Sequence, residues 1–215
     1  MDSIQMDAAK KPRIQRIIRA AELYEANLLN KNILLVGEKD GDIKVIELRF
    51  RAENFMHLIG VRMVESNYGG MYFWKKYKSH QLSERDILPD FNGAANQKLQ
   101  AATTMFRSDL SARSFGKEKG VREKVSVDIY SGDIHASLGF RTYKTAYYDP
   151  TTMLKSSISK EVYPEDSYRV VGMLSKRLRD SQYDTLLRSV PDDKTDTVKL
   201  SMPKEYAQIL KSLGL

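Results

Sequence analysis

NILLVGEKDGDIKVIELRF, residues 32–50, is the stretch whose reading decides the fold. Two runs rich in apolar and β-branched residues, 32–38 and 42–50, flank Asp40-Gly41. An Asp-Gly pair between such runs is a strong hairpin signal, because both residues tolerate the left-handed backbone that a two-residue turn requires. In the second strand Ile43 and Val45 share one parity, whereas Leu48 and Phe50 share the other. That switch predicts a bulge or twist near Ile46 and Glu47.

Toward the N-terminus, residues 12–29 read as a helix. Pro12 suits a first helical position, and Ile14, Ile17, Ile18, Ala21, Tyr24 and Leu28 recur along one face. Lys10, Lys11, Arg13, Arg16 and Arg19 crowd its N-terminal half, the unfavourable end of the dipole for cations. An anionic partner or a solvated basic face accounts for them, and the solvated face is the plainer reading.

Toward the C-terminus, a short helix over residues 52–59 closes at Gly60, with Phe55, Leu58 and Ile59 as its buried stripe. Gly69-Gly70 opens a helix over 71–79. Ser83 and Asp86 form a capping pair before Pro89. Ala95, Leu99, Ala102 and Phe106 mark a further amphipathic helix, and 113–124 read as an exposed, mobile basic link.

Beyond it the pattern turns to alternation. With Ser131-Gly132 as a two-residue turn, Ile129 faces Ile134, Val127 faces Ala136 and Val125 faces Leu138. Asp128 then faces His135. Further strands are expected at 141–148, 168–175 and 183–190, and a tail helix at 203–213. The class is α+β: an N-terminal helix and hairpin, a helical middle, then a mostly antiparallel twisted sheet.

Composition narrows the chemistry. The chain has 215 residues, no cysteine and three histidines, His57, His80 and His135. Disulfides, thiolate metal sites and cysteine nucleophiles are therefore excluded. The spacings of zinc, calcium, P-loop, dinucleotide and Ser-His-Asp sites are missing as well, so no metal or other cofactor is expected. No apolar run is long enough to span a membrane, and the first residues lack a secretory core, so a cytoplasmic protein is expected. The net charge of +7 favours polyanions. The side chains that remain suit metal-free RNA cleavage, in which the ribose 2′-hydroxyl is the nucleophile and the protein supplies a base, an acid and cations.

His57 lies among apolar residues in Phe55-Met56-His57-Leu58-Ile59-Gly60 and is the first acid–base candidate; from local sequence alone, a histidine that hydrogen-bonds the backbone and caps the fold is the better reading. The Asp128–His135 pair reads better as a surface ion pair, and His80 as an exposed helix end. Two clusters interleave aromatics with cations, as single-stranded RNA binding demands. The first is Tyr72, Phe73, Trp74, Lys75, Lys76, Tyr77 and Lys78, in which Phe73 and Trp74 also serve the core. The second, Arg141, Tyr143, Lys144, Tyr147 and Tyr148, is the better RNA surface.

Leu48-Arg49-Phe50, followed by Asn54-Phe55-Met56-His57-Leu58-Ile59-Gly60-Val61, resembles the Phe-x-His-Leu-x-Gly motif of the fourth phage branch of the barnase/EndoU/colicin/RelE-like nucleases. Tyr148-Asp149-Pro150-Thr151-Thr152-Met153-Leu154-Lys155 is similar to that family's Pro-Asn-Thr-Leu-Leu-Lys segment, with Thr151 in place of Asn and Met153 in place of Leu. The resemblance spans about residues 45–190 and ends with Lys176 and Tyr183. It implies an RNase-toxin-like α+β domain over residues 32–195, between a basic N-terminal helix (1–31) and a tail helix (196–215).

The resemblance also implies an RNA substrate. His57 would be the acid/base, Thr152 a hydrogen-bond donor or positioning group, and Lys155 a stabiliser of phosphate charge. Arg62, Lys75, Lys76, Arg141, Tyr143, Lys144, Tyr148 and Lys176 make up the expected RNA-contacting set. Three readings follow: a metal-independent endoribonuclease of a phage or mobile element, with CRISPR guide RNA among its targets; a non-catalytic anti-defence protein that blocks RNA or an RNA-guided nuclease; and, least favoured, a structural or packaging protein of a phage.

Overall fold

A computed structural model describes residues 13–65, 69–89, 93–120, 126–143, 145–202, 206, 209 and 211. The hairpin forms as expected: β1 (Lys31–Lys39) and β2 (Asp42–Phe50) pair with Lys39 opposite Asp42. Asp40 and Gly41 take φ of 51° and 84° in the turn between them. The predicted bulge in β2 is absent, since its register with β1 is unbroken from Phe50 to Asp42. Ile46, Leu48 and Phe50 face the main core, while Ile43 and Val45 face a second one. The parity switch thus marks a strand covered on both faces.

The hairpin is continuous with the strands of the second half. These are β3 (Ser114–Glu118), β4 (Ile129–Gly132), β5 (Ser137–Thr142), β6 (Tyr148–Leu154), β7 (Val162–Arg177) and β8 (Thr185–Arg188). Their order is β1-β2-β6-β5-β4-β3-β7, and β7 pairs back onto β1, so seven strands close a barrel with β8 added beside β7. The β2–β6 contact is parallel and the other pairings are antiparallel. The α+β class holds, but the expected sheet of the second half is corrected to a mixed, closed barrel. Closure depends on pairing 31–38 with 169–177, a long-range match that local alternation does not encode.

Six helices decorate it among the described residues: α1 (Arg13–Asn27), α2 (Asn54–Ile59), α3 (Gly69–Lys78), α4 (Ala94–Met105), α5 (Ile158–Glu161) and α6 (Thr195–Ser201). None is long and apolar enough to cross a membrane. The first four join the inward residues of the barrel in one core. Tyr24 of α1 lies at its centre, with ring centroids 5.1 Å from Phe106, 5.3 Å from Phe55 and 6.1 Å from Trp74. Its hydroxyl donates to Arg51 O at 2.7 Å, so the buried phenol is satisfied. Val198 and Met202, of and just after α6, cover the outer face of β1 and β2 with Leu34, Val36 and Ile43.

Three further expectations change. The β4–β5 turn is at Asp133–Ala136, so Ile129 pairs with Phe140 and Ser131 with Leu138. Asp133 Oδ1 accepts from His135 N at 2.7 Å and Ala136 N at 3.0 Å, a side-chain-closed turn that the Ser-Gly reading overlooked. Ile134 is left exposed, and Asp128 accepts from Thr142 N at 2.7 Å, with its expected partner His135 out in the turn. The supposed mobile link is in part β3, with Phe115 and Gly116 buried; residues 121–125 lie outside the described ones. Finally, 141–148 is split by a turn between β5 and β6, and most of the expected tail helix at 203–213 lies outside the described residues.

The β2–β6 seam has a single bridge, Leu48 with Tyr148. Beside it Arg49 grips Asp149 through two hydrogen bonds, of 2.9 and 2.6 Å, and Arg51 approaches the same carboxylate at 3.4 Å. Asp149 is buried and the Arg49 side chain is 19% exposed. Removing the carboxylate strands a largely buried guanidinium, so Asp149→Ala is expected to cost about 3–5 kcal/mol in denaturant unfolding. A loss below about 1 kcal/mol would mean that packing alone holds the seam.

Candidate functional site

Past the bridge at Tyr148, β6 leaves β2 and runs beside α2 and α4. Pro150 has no N–H to offer the ladder, and here the register with β5 slips: Phe140 pairs with Pro150 and Gly139 with Thr152. Thr151 is the extra residue, and its hydroxyl donates to Gly139 O at 3.2 Å. The slip leaves Thr152 buried at the edge where α2 and α4 arrive.

Lys98 of α4 links the two segments. Its Nζ donates to His57 O at 3.2 Å and reaches Thr152 Oγ1 at 3.5 Å. Two residues further along α4, Gln100 Oε1 accepts from Lys155 Nζ at 2.7 Å. His57 is on the exposed side of the last turn of α2, between Met56 and Leu58, which are buried. Gly60 caps that turn at φ 67°, and its N–H also meets His57 O. A Cβ on Gly60 would stand 2.9 Å from Lys98 Cδ, so the glycine serves both the left-handed cap and the passage of the lysine stem. The His57 carbonyl and Thr152 therefore meet Lys98, and Lys155 meets Gln100, so both motif segments contact α4.

Burial lowers the pKa of Lys98, and no neighbouring charge offsets that effect. The sequence reading missed Lys98 and Gln100 because it followed the apolar stripe of α4 and left its polar positions to solvent. No local signal identifies them; only the approach of β6 does. Among the described residues no three His, Cys, Asp or Glu side chains are grouped to hold a metal.

The remaining candidates fall in several places. Arg62 is exposed just past α2, and Lys75 is exposed on α3. Lys76 is ion-paired with Asp86 and lies 5.3 Å over the Tyr72 ring. Phe73 and Trp74 are core residues, as expected in part. Arg141 stacks 5.3 Å from the exposed Tyr143, whereas Tyr147 lies 4.9 Å from Arg49 of β2, a residue outside the expected cluster. Lys144 of that cluster lies outside the described residues.

Tyr148 is half-buried, with its phenol pushed up by burial and Asp128, and it lines an open cleft of 420 Å³ with Lys44 and Lys117. Lys176 is only 13% exposed, 3.6 Å from Glu47, and it packs on Tyr183, whose hydroxyl bonds the same carboxylate. Burial and Glu47 drive the Tyr183 hydroxyl far above its ordinary range, which suits a structural tie. Arg13 and Arg16 are likewise engaged, donating to Leu88 O at 2.7 Å and to Asn96 Oδ1 at 2.9 Å.

Comparison with known proteins adds one finding. Residues 16–190 match the family model described as phage-Barnase-EndoU-ColicinE5/D-RelE like nuclease 4. No curated protein and no solved structure matches. The match begins within α1, earlier than the motifs alone suggested, in keeping with the place of Ile17, Ala20, Ala21 and Tyr24 in the main core. With its two motifs meeting across α4 and four-fifths of its length matched, the chain belongs to this phage-associated nuclease-like family.

Proposed function

We propose that the protein is a metal-independent endoribonuclease with His57, Thr152 and Lys155 at its centre. The observation that carries this reading is the convergence of the two motif segments, one from α2 and one from β6, on Lys98 and Gln100 of α4. The exposed His57 imidazole takes the proton of a ribose 2′-hydroxyl. The 2′-oxygen then bonds to phosphorus, the bond from phosphorus to the 5′-oxygen breaks, and the imidazolium returns its proton to that oxygen. A 2′,3′-cyclic phosphate and a free 5′-hydroxyl result. Lys155, whose recorded partner is a neutral amide, can turn its charge to the phosphorane, and Thr152 positions the phosphate by a hydrogen bond. DNA lacks the nucleophile and is not cut.

One observation favours a second reading, a nuclease-like fold that holds RNA or an RNA-guided effector and blocks it without cutting. Thr151 stands where the motif has Asn, and its hydroxyl is turned onto Gly139 O.

A denaturing gel of structured RNAs, a CRISPR guide among them, incubated in EDTA separates the two. Discrete fragments ending in cyclic phosphate are expected; intact RNA retarded on a native gel would establish the blocker instead. His57→Ala is expected to slow cleavage by roughly 10²–10⁴-fold, with stability changed by less than about 0.5 kcal/mol because the side chain is exposed. Lys155→Ala, also on an exposed side chain, is expected to lower kcat by about 10²-fold with its melting temperature unmoved. Loss of cleavage in EDTA by the unaltered protein would rule out the mechanism.

A further inference from the structure

We propose that Lys98 is a phosphate-binding residue of this centre, its ammonium meeting a non-bridging oxygen of the RNA backbone between α2 and β6. The inference rests on the ribonuclease reading and adds a residue that neither motif contains.

Lys98 is a partly buried cation with no carboxylate beside it among the described residues. Drawing a lysine ammonium partly out of water costs hydration that neutral acceptors return less fully than a carboxylate would. The recorded acceptors of Lys98 are both neutral, the His57 carbonyl and the Thr152 hydroxyl. No ion pair involves it among the described residues, whereas Lys76, Lys78, Lys176 and Lys194 each face a carboxylate. Burial disfavours its charged form with no charge to compensate. An anion arriving at Nζ supplies what the free protein lacks, and the attraction is strongest where water is partly excluded.

The surroundings preserve this arrangement. Gly60 leaves room for the stem of Lys98 where a Cβ would stand 2.9 Å from Cδ. His57 O already receives the Gly60 N–H, so it does not need Lys98 to be satisfied. Thr152 Oγ1 lies 3.5 Å from the Lys98 ammonium, and Lys155 lies beyond them on Gln100. The plainer account is a lysine that caps the C-terminal carbonyls of α2 and contributes only stability. The two accounts differ in sign: a cap is lost on substitution, whereas an uncompensated charge is relieved.

The test uses a 2′-O-methyl RNA oligonucleotide, which carries the phosphates but cannot be cut. Lys98→Met and Lys98→Gln are compared with the unaltered chain in thermal melting, in oligonucleotide affinity across a salt series, and in cleavage of ordinary RNA. Lys98→Met is expected to melt at a higher temperature without ligand. It should bind the oligonucleotide at least tenfold more weakly, with a salt dependence reduced by about one phosphate contact. It should also cleave roughly 10²-fold more slowly.

Binding decides. Unchanged affinity and salt slope in both variants would overturn the proposal and leave Lys98 a helix cap, whatever happens to cleavage. Should the unaltered chain cut nothing while both variants lose binding, the phosphate site stands and the ribonuclease reading falls. Cleavage and binding at the original rate and affinity in both variants would reject the site and spare the ribonuclease.

Discussion

Everything around the candidate site depends on how β2 and β6 meet. Six of the seven contacts that close the barrel are antiparallel ladders; the seventh is one parallel bridge between Leu48 and Tyr148. A single bridge cannot hold two strands in register, and the Arg49–Asp149 pair beside it supplies the missing constraint. Its two hydrogen bonds fix orientation as well as distance, which a lysine in place of Arg49 would not do. Because β2–β6 pairing stops there, β2 turns into α2 while β6 continues on β5 alone, beside α2 and α4 with Lys98.

The helices on the other side of that gap are held by aromatic packing. Tyr24 contacts Phe50, Phe55, Trp74 and Phe106, which come from β2, α2, α3 and the residue following α4. Its hydroxyl on Arg51 O adds a directional bond at the point where β2 ends. Arg51 therefore touches both systems, its carbonyl on Tyr24 and its guanidinium on Asp149. The position of α2, and with it His57, is set by an ion pair on one side and a cluster of rings on the other. An exposed histidine on a six-residue helix can be held accurately because almost every neighbour on that helix is buried.

Much of this was legible from residues alone, and the limits have physical causes. The Asp40-Gly41 hairpin, α1, the cap at Gly60, the stripe of α4 and the Ser83–Asp86 box are local patterns in which a few neighbouring residues carry the whole signal. The β4–β5 register failed because Ser131-Gly132 and Asp133 both offer turn chemistry, and only the carboxylate closes its turn with two hydrogen bonds. Strand β3 was hidden by its basic context, and β6 by a proline at the point where the ladder slips. The motifs drew attention to His57, Thr152 and Lys155, whereas Lys98 is visible only once α4 is laid against β6.

The net charge of +7 also takes on a different meaning in the fold. Part of the positive charge is tied up within the protein: Arg19 on Glu22, Lys78 on Glu25, Lys176 on Glu47, and Arg169 and Lys194 on Glu38. A polyanion would have to compete with those carboxylates for such groups. Lys98 and Lys155, like Arg13 and Arg16, meet neutral partners, here a carbonyl, a hydroxyl and an amide, none of which neutralises them. A phosphate approaching these two lysines displaces no internal anion, so its attraction is opposed only by desolvation. The excess charge by itself names no place for a polyanion; under the proposal made above, the two lysines beside α2 and β6 are that place.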